Sequence, residues 1–376
     1  MEQRIKKGSI AVLIGTRPEG IKLCPLILRM HTLGLETCVI RSGQHGEMLS
    51  EVLSSFSVSA DISLPAVYFG EDLPALLSHL IASLGKTLQS LAPPLVIVQG
   101  DTATAYAGAL AAFLLRIPIL HVEAGLRSRD PFSPFPEECF RKSIASMASL
   151  HIAPSPEAMM HLWCEGIEKR RVFLYGNTVE DALRHFLPKN VRKSKTLLLT
   201  LHRREHSEQV LRGIFSAVRA LMERFSDHSL VYPVHPSPRV RSVAEQMLGG
   251  FARITLVPPL ALPAFYQLLA AAPLVLTDSG GIQEEAALLG VRALVLREQT
   301  ERESELLSGK ICLAGTDPHR IFSLATALLS EPQKKRKESL FDSPSARICK
   351  LLLSFKECGF DMQRLFREFS RCSTPR

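Results

Sequence analysis

The sequence predicts an α/β protein of two Rossmann-like, doubly wound domains with a cleft between them. Short apolar runs alternate with segments of helical periodicity, a pattern typical of parallel sheets covered by helices. The runs are almost continuously apolar, as expected for strands buried on both faces. The pattern restarts near residue 195, after the polar, basic stretch PKNVRKSK, which predicts a domain boundary at about 180–195. A chain of 376 residues, 46% of them hydrophobic, is long enough for two compact cores.

Each predicted strand is a short apolar run, and each predicted helix repeats its apolar residues at helical spacing. The strand-like runs are residues 10–14, 37–40, 95–98, 119–122, 197–201, 230–233, 255–257, 274–276 and 294–296. The clearest helical stretches are residues 21–31, 103–115, 138–148, 209–224 and 283–289.

Composition argues against several classes of function. The net charge of +8 is a mild basic excess that suits a polyanionic small ligand. Its one dense run, residues 334–337, is typical of a solvated surface, so we expect no nucleic-acid partner. The eight cysteines are irregularly spaced without a Cys-x-x-Cys pair. They predict neither a disulfide framework nor a zinc site, and they fit a reducing cytoplasm.

Two apolar segments imitate export or membrane signals. The first, SIAVLIG near the N-terminus, has no small-residue cleavage site and runs into Arg17, so we interpret it as the first strand. The second, residues 257–277, is uncharged but contains four prolines, which favours loop, helix and buried strand over a membrane span. We therefore expect no membrane association.

Three carboxylates follow the predicted strands of the N-terminal half. Ligands of doubly wound sheets lie outside the carboxyl ends of the strands, so these positions are candidates for catalysis. Asp101 follows the run 95–98, Glu123 follows the run 119–122, and a proline-rich link leads to Glu137 at a helix start. All three fall on the same side of one sheet, where mutual repulsion should raise the pKa of at least one. The alternative interpretation is structural: Asp101 caps a helix, and Glu137 complements a helix dipole.

Cations and glycines complete the pattern of residues after strands. GTRPEGIK brings Arg17 and Lys22 to the end of the first strand, either as ligand contacts or as surface charges. In the second half, HRREHSE puts His202 and Arg203 at a strand end, and VYPVHPSP does the same for His235. A histidine beside arginines at such a position favours an anion contact.

The stretch TDSGGIQEEA predicts a nucleotide site. Ser279, Gly280 and Gly281 let a ligand approach backbone N–H groups at a helix start, which binds anions. Glu285 lies about one turn further along and is suited to accept hydrogen bonds from a ribose diol. Arg302, after the next strand, adds positive charge for a diphosphate. The loop lacks a Walker lysine and the dinucleotide-binding glycine spacing, so neither an ATPase nor a nicotinamide enzyme is indicated.

The motifs together resemble a known family. GTRPEGIK, GDTATA, HVEAGLRS, SPFPEE, GNTVEDAL, HRRE, YPVHPSP, TDSGGIQEEA and TERESE occur in this order across residues 15–305. The set closely resembles the bacterial non-hydrolysing UDP-N-acetylglucosamine 2-epimerases. That resemblance implies a GT-B fold, a homodimer, and no metal or nicotinamide cofactor. It also implies two domains. Residues 1–185 form one Rossmann-like domain, which a C-terminal helix at about 354–376 completes, and residues 186–353 form the UDP-binding Rossmann-like domain.

The resemblance further implies a reaction and a set of roles. The family interconverts UDP-GlcNAc and UDP-ManNAc by eliminating UDP to 2-acetamidoglucal and adding it back. The positions that match catalytic residues are Asp101, Glu123, Glu137 and His202, and the choice of base among the carboxylates stays open. The positions that match substrate contacts are Arg17, Lys22, Phe265, Ser279, Gly280, Gly281, Glu285 and Arg302.

Some members bind a second UDP-GlcNAc as an activator. Gln44, His45, Arg203 and His235 match that region. The chain departs from the family at Gly46, where arginine is usual, and at Ser237, where asparagine is usual. Both departures argue against activation. A third, Phe140 in place of asparagine, suggests a pocket altered for a modified sugar.

Several alternatives differ in class. Sister epimerases act on modified UDP-2-acetamido sugars, and a GT-B glycosyltransferase would share the nucleotide site but need an acceptor. A hydrolysing variant would release free ManNAc. A silent binding protein would have no need for Asp101, Glu123, Glu137 and His202 together.

Overall fold

The computed structural model describes residues 7–44, 46–66, 72–128, 130–188, 190–201, 207–234, 237–298, 311–331 and 343–372. The chain divides into two compact units: Met1–Ala182 with Phe341–Arg376, and Leu183–Leu340. The sequence predicts domain limits at 185/186 and 353/354. In the structure the chain returns to the first unit at Phe341, which is earlier than predicted. The physical reason is a helix, Pro344–Glu357, whose buried face packs against a helix of the first unit, Arg17–Thr32.

The first unit contains a seven-stranded parallel sheet. Its strands are β1 (Ile10–Ile14), β2 (Thr37–Arg41), β3 (Ile62–Ser63), β4 (Val96–Gln99), β5 (Ile119–Val122), β6 (Leu150–Ala153) and β7 (Val172–Leu174). They lie in the order β3-β2-β1-β4-β5-β6-β7. The helices are α1 (Arg17–Thr32), α2 (Glu47–Ser55), α3 (Leu73–Leu91), α4 (Ala103–Leu114), α5 (Glu137–Met147) and α6 (Pro156–Cys164). A 3₁₀ turn spans Lys169–Arg171, and α7 (Val179–Phe186) crosses the division between the units.

The second unit contains a six-stranded parallel sheet. Its strands are β8 (Thr196–Thr200), β9 (Ser229–Pro233), β10 (Ile254–Val257), β11 (Leu274–Thr277), β12 (Arg292–Val295) and β13 (Ile311–Leu313), in the order β10-β9-β8-β11-β12-β13. Its helices are α8 (Glu208–Arg224), α9 (Pro238–Leu248), α10 (Leu262–Ala271), α11 (Gly280–Leu289) and α12 (Pro318–Ser330). The helices that follow, α13 (Pro344–Glu357) and α14 (Met362–Cys372), belong to the first unit.

The strand order reverses once in each sheet. In the first it reverses between β1 and β4, and in the second between β8 and β11. Adjacent strands at such a switch point send their following loops in opposite directions, which opens a crevice at the carboxyl ends. Residues after β1 and β4 include Arg17 and Asp101, and residues after β11 include Ser279. The candidate residues therefore lie where doubly wound sheets hold their ligands.

Small residues bring α4 close to the sheet and to the loop after β1. A Cβ on Gly15 would lie 1.9 Å from Oγ1 of Thr104, so only glycine fits there. A Cβ on Gly108 would lie 2.2 Å from a Leu13 methyl group. The alanine-rich face of α4 is almost wholly buried against the strands. Within the described part of the chain, none of the helices is long and apolar enough to cross a membrane.

Candidate active site

Asp101 lies in the turn that follows β4, directly after Gly100. Gly100 makes that turn with a left-handed φ of +68°, and its N–H donates to Val122 O at the end of β5. The cap of α4 is Thr102, whose hydroxyl accepts from Ala105 N at 3.0 Å. The interpretation of Asp101 as a helix cap is therefore wrong. Its carboxylate instead accepts from both Nε, at 2.9 Å, and Nη2 of Arg141.

Glu123 follows β5 directly and is almost wholly buried. Its φ of +63° is unusual for a residue with a side chain, and such strain is often found at functional sites. One carboxylate oxygen accepts from Lys22 Nζ at 2.5 Å and from the Gln99 amide. Lys22 comes from α1 and Gln99 from β4, so a cation offsets the charge on Glu123.

The helix α5 begins with two acidic residues. Glu137 is the first residue of the helix and Glu138 is completely buried. Glu138 accepts from Ser128 N at 2.9 Å and from Arg141 Nη1 at 3.0 Å. Arg141 thus joins Asp101 to Glu138. The sequence predicts repulsion among Asp101, Glu123 and Glu137, whereas the fold pairs Asp101 with Arg141 and Glu123 with Lys22.

Arg141 and Glu19 are site residues that the sequence argument missed. Glu19 is fully buried and accepts from Gly15 N at 2.8 Å, from Thr16 N at 2.6 Å and from Thr102 Oγ1 at 2.7 Å. Burial raises its pKa to about 7, although these hydrogen bonds oppose the shift. The capping box formed by Thr16 and Glu19 was a readable sequence signal. Its link to Thr102 was not readable, because 83 positions separate them.

Of the possible allosteric residues, Gln44 is described and has structural partners. Its side-chain oxygen accepts from the backbone N of Thr104 at 3.2 Å and from the Thr104 hydroxyl at 2.7 Å. His45, Arg203 and His235 lie outside the described residues. Phe140 is buried and stacks on Tyr106 with ring centroids 4.7 Å apart. That packing accounts for Phe140 as a core residue, independently of any change of substrate.

Two buried histidines stand side by side in the first sheet. His121 on β5 is the register partner of His151 on β6, and both are completely buried. His121 Nε2 donates to Gly100 O at 2.8 Å and so supports the turn before Asp101. Burial lowers the pKa of His121 to about 4 and that of His151 to about 3. Unfolding restores values near 6.5, so acid favours the unfolded chain below that pH.

We expect a His151→Leu variant to resist acid better than the wild type. Between pH 6.5 and 4 the unfolded chain protonates His151 and the folded chain does not, so the variant should lose about 3 kcal/mol less stability over that window. Urea unfolding monitored by the single tryptophan, Trp163 of the same unit, measures this. The control is His31→Leu, since His31 is exposed. Equal acid sensitivity in the His151→Leu and His31→Leu variants would contradict the lowered pKa of His151.

The second unit holds the glycine-rich helix start. Ser279 is the N-cap of α11, which opens with Gly280 and Gly281. Thr277 Oγ1 accepts from Ser279 N at 3.1 Å and from Thr200 Oγ1 at 2.7 Å, which fixes the loop to two strand ends. A Cβ on Gly281 would meet nothing within 4 Å. The first N–H groups of a helix have no intrahelical partner, so this open surface suits an anion.

Glu285 lies further along α11 and is almost wholly buried, as is Phe265 on α10. Glu285 Oε1 accepts from the hydroxyl of Tyr266 at 3.0 Å. The sequence argument singled out Phe265 and Glu285 but missed Tyr266, since its hydroxyl shows no pattern in the sequence. The remaining predicted residues of this half, His202 and Arg302, lie outside the described residues.

Fold and site together define a class. Two doubly wound sheets, one with carboxylates after its strands and one with a glycine-rich helix start, have the GT-B-like fold. The chain belongs to the UDP-N-acetylglucosamine 2-epimerase family, whose sequence model matches residues 28–353. It is therefore a member of a family of isomerases. The predicted α/β class with two Rossmann-like, doubly wound sheets and the family suggested by the motifs are both confirmed.

Individual relatives match over almost their full length. The UDP-N-acetylglucosamine 2-epimerase of Bacillus subtilis is 38% identical over 349 residues, covering 90% of this chain and 92% of its own. The S. aureus MnaA structure with UDP is 36% identical with a TM-score of 0.84, covering 94% and 97%. The UDP-GlcNAc 2-epimerase of Neisseria meningitidis, bound to UDP-GlcNAc, is 32% identical with a TM-score of 0.80, covering 92% and 99%.

Proposed function

We propose that the protein is a non-hydrolysing epimerase that interconverts UDP-GlcNAc and UDP-ManNAc. One observation carries the proposal: in a chain of this family, Asp101 and Glu123 end adjacent strands of one sheet, each beside a cation. Carboxylates at the carboxyl ends of neighbouring strands can accept or donate a proton at a bound ligand. The UDP-GlcNAc-bound relative from Neisseria meningitidis supports the choice of substrate.

The reaction removes the proton from C2 of the sugar and breaks the bond between C1 and the diphosphate oxygen. The electron pair of the C2–H bond forms the C1=C2 double bond of 2-acetamidoglucal, and the C1–O pair leaves with UDP. Return of UDP to C1 with a proton added to the opposite face of C2 completes the inversion. Asp101, Glu123 and Glu137, with His202, are the proposed proton-transfer groups, and we assign no single one as the base.

The second unit supplies the proposed nucleotide contacts. The N–H groups at Ser279, Gly280 and Gly281 donate hydrogen bonds to the diphosphate oxygens. The Glu285 carboxylate accepts hydrogen bonds from the ribose hydroxyls. Phe265 lies near the proposed uracil position. Arg17, Lys22 and Arg302 are the further proposed contacts, because their positive charge suits a departing diphosphate.

Proton NMR of the protein with UDP-GlcNAc in D2O tests the function. Appearance of UDP-ManNAc with deuterium at C2 is the expected result. Free ManNAc would identify a hydrolysing enzyme instead. No exchange and no new sugar would contradict the proposal and direct attention to modified UDP-2-acetamido sugars or to a glycosyltransferase that lacks its acceptor.

An Arg17→Ala variant is expected to bind UDP about 10- to 100-fold more weakly. Arg17 opens α1 at the switch point of the first sheet, and a hydrogen bond to a charged group contributes about 1.5–3 kcal/mol. Isothermal titration calorimetry with UDP measures the change. The control is Arg29→Ala in the last turn of the same helix, where affinity should not change. Equal affinities in both variants would remove Arg17 from the site.

The family also supports a homodimer that works in the cytoplasm without a metal or nicotinamide cofactor. Light scattering coupled to gel filtration tests the dimer. Activity that survives prolonged dialysis against EDTA is the expected result for a metal-free reaction.

A further inference from the structure

A tyrosine of the second unit contacts the carboxylate proposed to bind ribose. Tyr266 lies on α10 and is completely buried, and its hydroxyl donates to Glu285 Oε1 at 3.0 Å. Helices α10 and α11 pack against each other within this unit. The two side chains therefore meet inside a single compact body, 19 positions apart along the chain.

The surroundings hold the tyrosine ring in place. The rings of Phe186 and Phe265 flank it, with centroids 6.1 Å and 6.2 Å from that of Tyr266. A ring held in this way presents its hydroxyl in one direction. A buried phenol needs a hydrogen-bond partner, and donation to a carboxylate is among the strongest that it can make. The contact consequently fixes the orientation of the Glu285 carboxylate.

The orientation of this carboxylate matters for a diol. An ionised carboxylate is acceptor-only, with about four lone-pair sites, and the bond from Tyr266 uses one of them. A ribose presents two hydroxyl donors on neighbouring carbons, and both need acceptors at set positions. A rigid carboxylate binds that pair better than one that is free to rotate, because the entropy cost of fixing its orientation is incurred on folding and not on binding.

We infer that Tyr266 is a positioning residue that sets the Glu285 carboxylate for a ribose diol and thereby gives the site its preference for ribonucleotides over 2′-deoxyribonucleotides. The inference rests on the proposed function, since it assumes that Glu285 binds the ribose of a UDP-sugar. Tyr266 touches Glu285 rather than the reacting atoms. Its loss should alter binding and selectivity without slowing the proton transfers.

The test compares UDP with 2′-deoxy-UDP by isothermal titration calorimetry. We expect the wild type to prefer UDP by about 10- to 100-fold, since the deoxy ligand leaves a buried acceptor unmatched. In Tyr266→Phe, which removes only the hydroxyl, that preference should fall by about 3- to 10-fold. The KM for UDP-GlcNAc should rise by a similar factor, while kcat changes by less than about twofold.

A matched control is available in the same unit. Tyr232 on β9 is also completely buried, and its hydroxyl has no hydrogen-bond partner among the described residues. Tyr232→Phe should therefore leave the preference for UDP unchanged. A double-mutant cycle with Glu285→Ala adds a second check, because the effect of Tyr266→Phe should vanish once the accepting side chain is absent.

The outcomes separate the two proposals. An unchanged UDP preference in Tyr266→Phe would overturn the inference, and so would an equal fall in Tyr232→Phe. An effect that persists in full in the Glu285→Ala background would overturn it as well, since Tyr266 would then act through another group. Failure of the wild type to bind UDP would refute the proposed function itself.

Discussion

Replacement of Glu123 by glutamine is expected to lower kcat for conversion of UDP-GlcNAc by about 10²- to 10⁴-fold, the usual contribution of a general acid or base. Glutamine keeps the volume of the side chain and an oxygen that can accept from Lys22, but it cannot exchange a proton. UDP affinity should change by less than about threefold, since the proposed nucleotide contacts of the second unit are untouched. Steady-state kinetics and calorimetry with UDP separate the two effects.

A carboxylate elsewhere in the same unit provides the control for Glu123→Gln. Glu165 accepts from Arg127 through two hydrogen bonds, of 2.7 Å and 2.6 Å. That pair lowers the pKa of Glu165. Glu165→Gln also breaks an ion pair, at a more exposed side chain away from the switch point, so its kcat should stay near that of the wild type. A kcat for Glu123→Gln above about a tenth of normal would remove Glu123 from the proton transfers.

Arg141→Leu is expected to lower the free energy of unfolding by about 3–5 kcal/mol. Its guanidinium is buried and pairs with Asp101 and Glu138, of which Glu138 is wholly buried. Removing the cation leaves the Glu138 charge without its main partner in the interior, and a broken buried ion pair costs about this much. Turnover should fall as well, because the Asp101 carboxylate loses the group that orients it.

Urea unfolding, monitored by the fluorescence of Trp163, measures the effect in the unit that contains Arg141. The control is Arg170→Leu. The ion pair of Arg170 with Glu168 is more than half exposed on both sides, and such pairs contribute about 0–1 kcal/mol. A loss of less than about 1 kcal/mol in the free energy of unfolding of Arg141→Leu would contradict this prediction. Water would then reach Glu138 in place of the Arg141 guanidinium.

The positions of the candidate residues were predictable because they follow from chain connectivity. Parallel strands of one sheet all end at the same edge, so Asp101 after β4 and Glu123 after β5 had to lie near each other. The same reasoning put the glycine-rich start of α11 at the carboxyl end of β11. The strands β3, β6, β7 and β13 were not predicted, and three of them, β3, β7 and β13, have only two or three residues each.

The partners of the site residues were not predictable. Lys22 meets Glu123 across 101 positions, and Arg141 meets Asp101 across 40. From the sequence, the acidic residues are expected to repel one another, and Asp101 has an alternative role as a cap, which Thr102 fills in the structure. The sequence does not predict Glu19, Arg141 and Tyr266 as site residues, because the importance of each lies in a long-range contact.

The sequence by itself determined the α/β class, the two doubly wound sheets, the family, and the strand ends at which chemistry would be placed. These depend on local periodicity, on turn residues and on the order of motifs, all of which are written along the chain. The tertiary structure alone decided which charges face each other and that Tyr266 contacts Glu285. It also decided that burial raises the pKa of Glu19 and lowers the pKa values of His121 and His151. Such properties depend on distance and on exclusion of water, and both are set only when separate segments pack together.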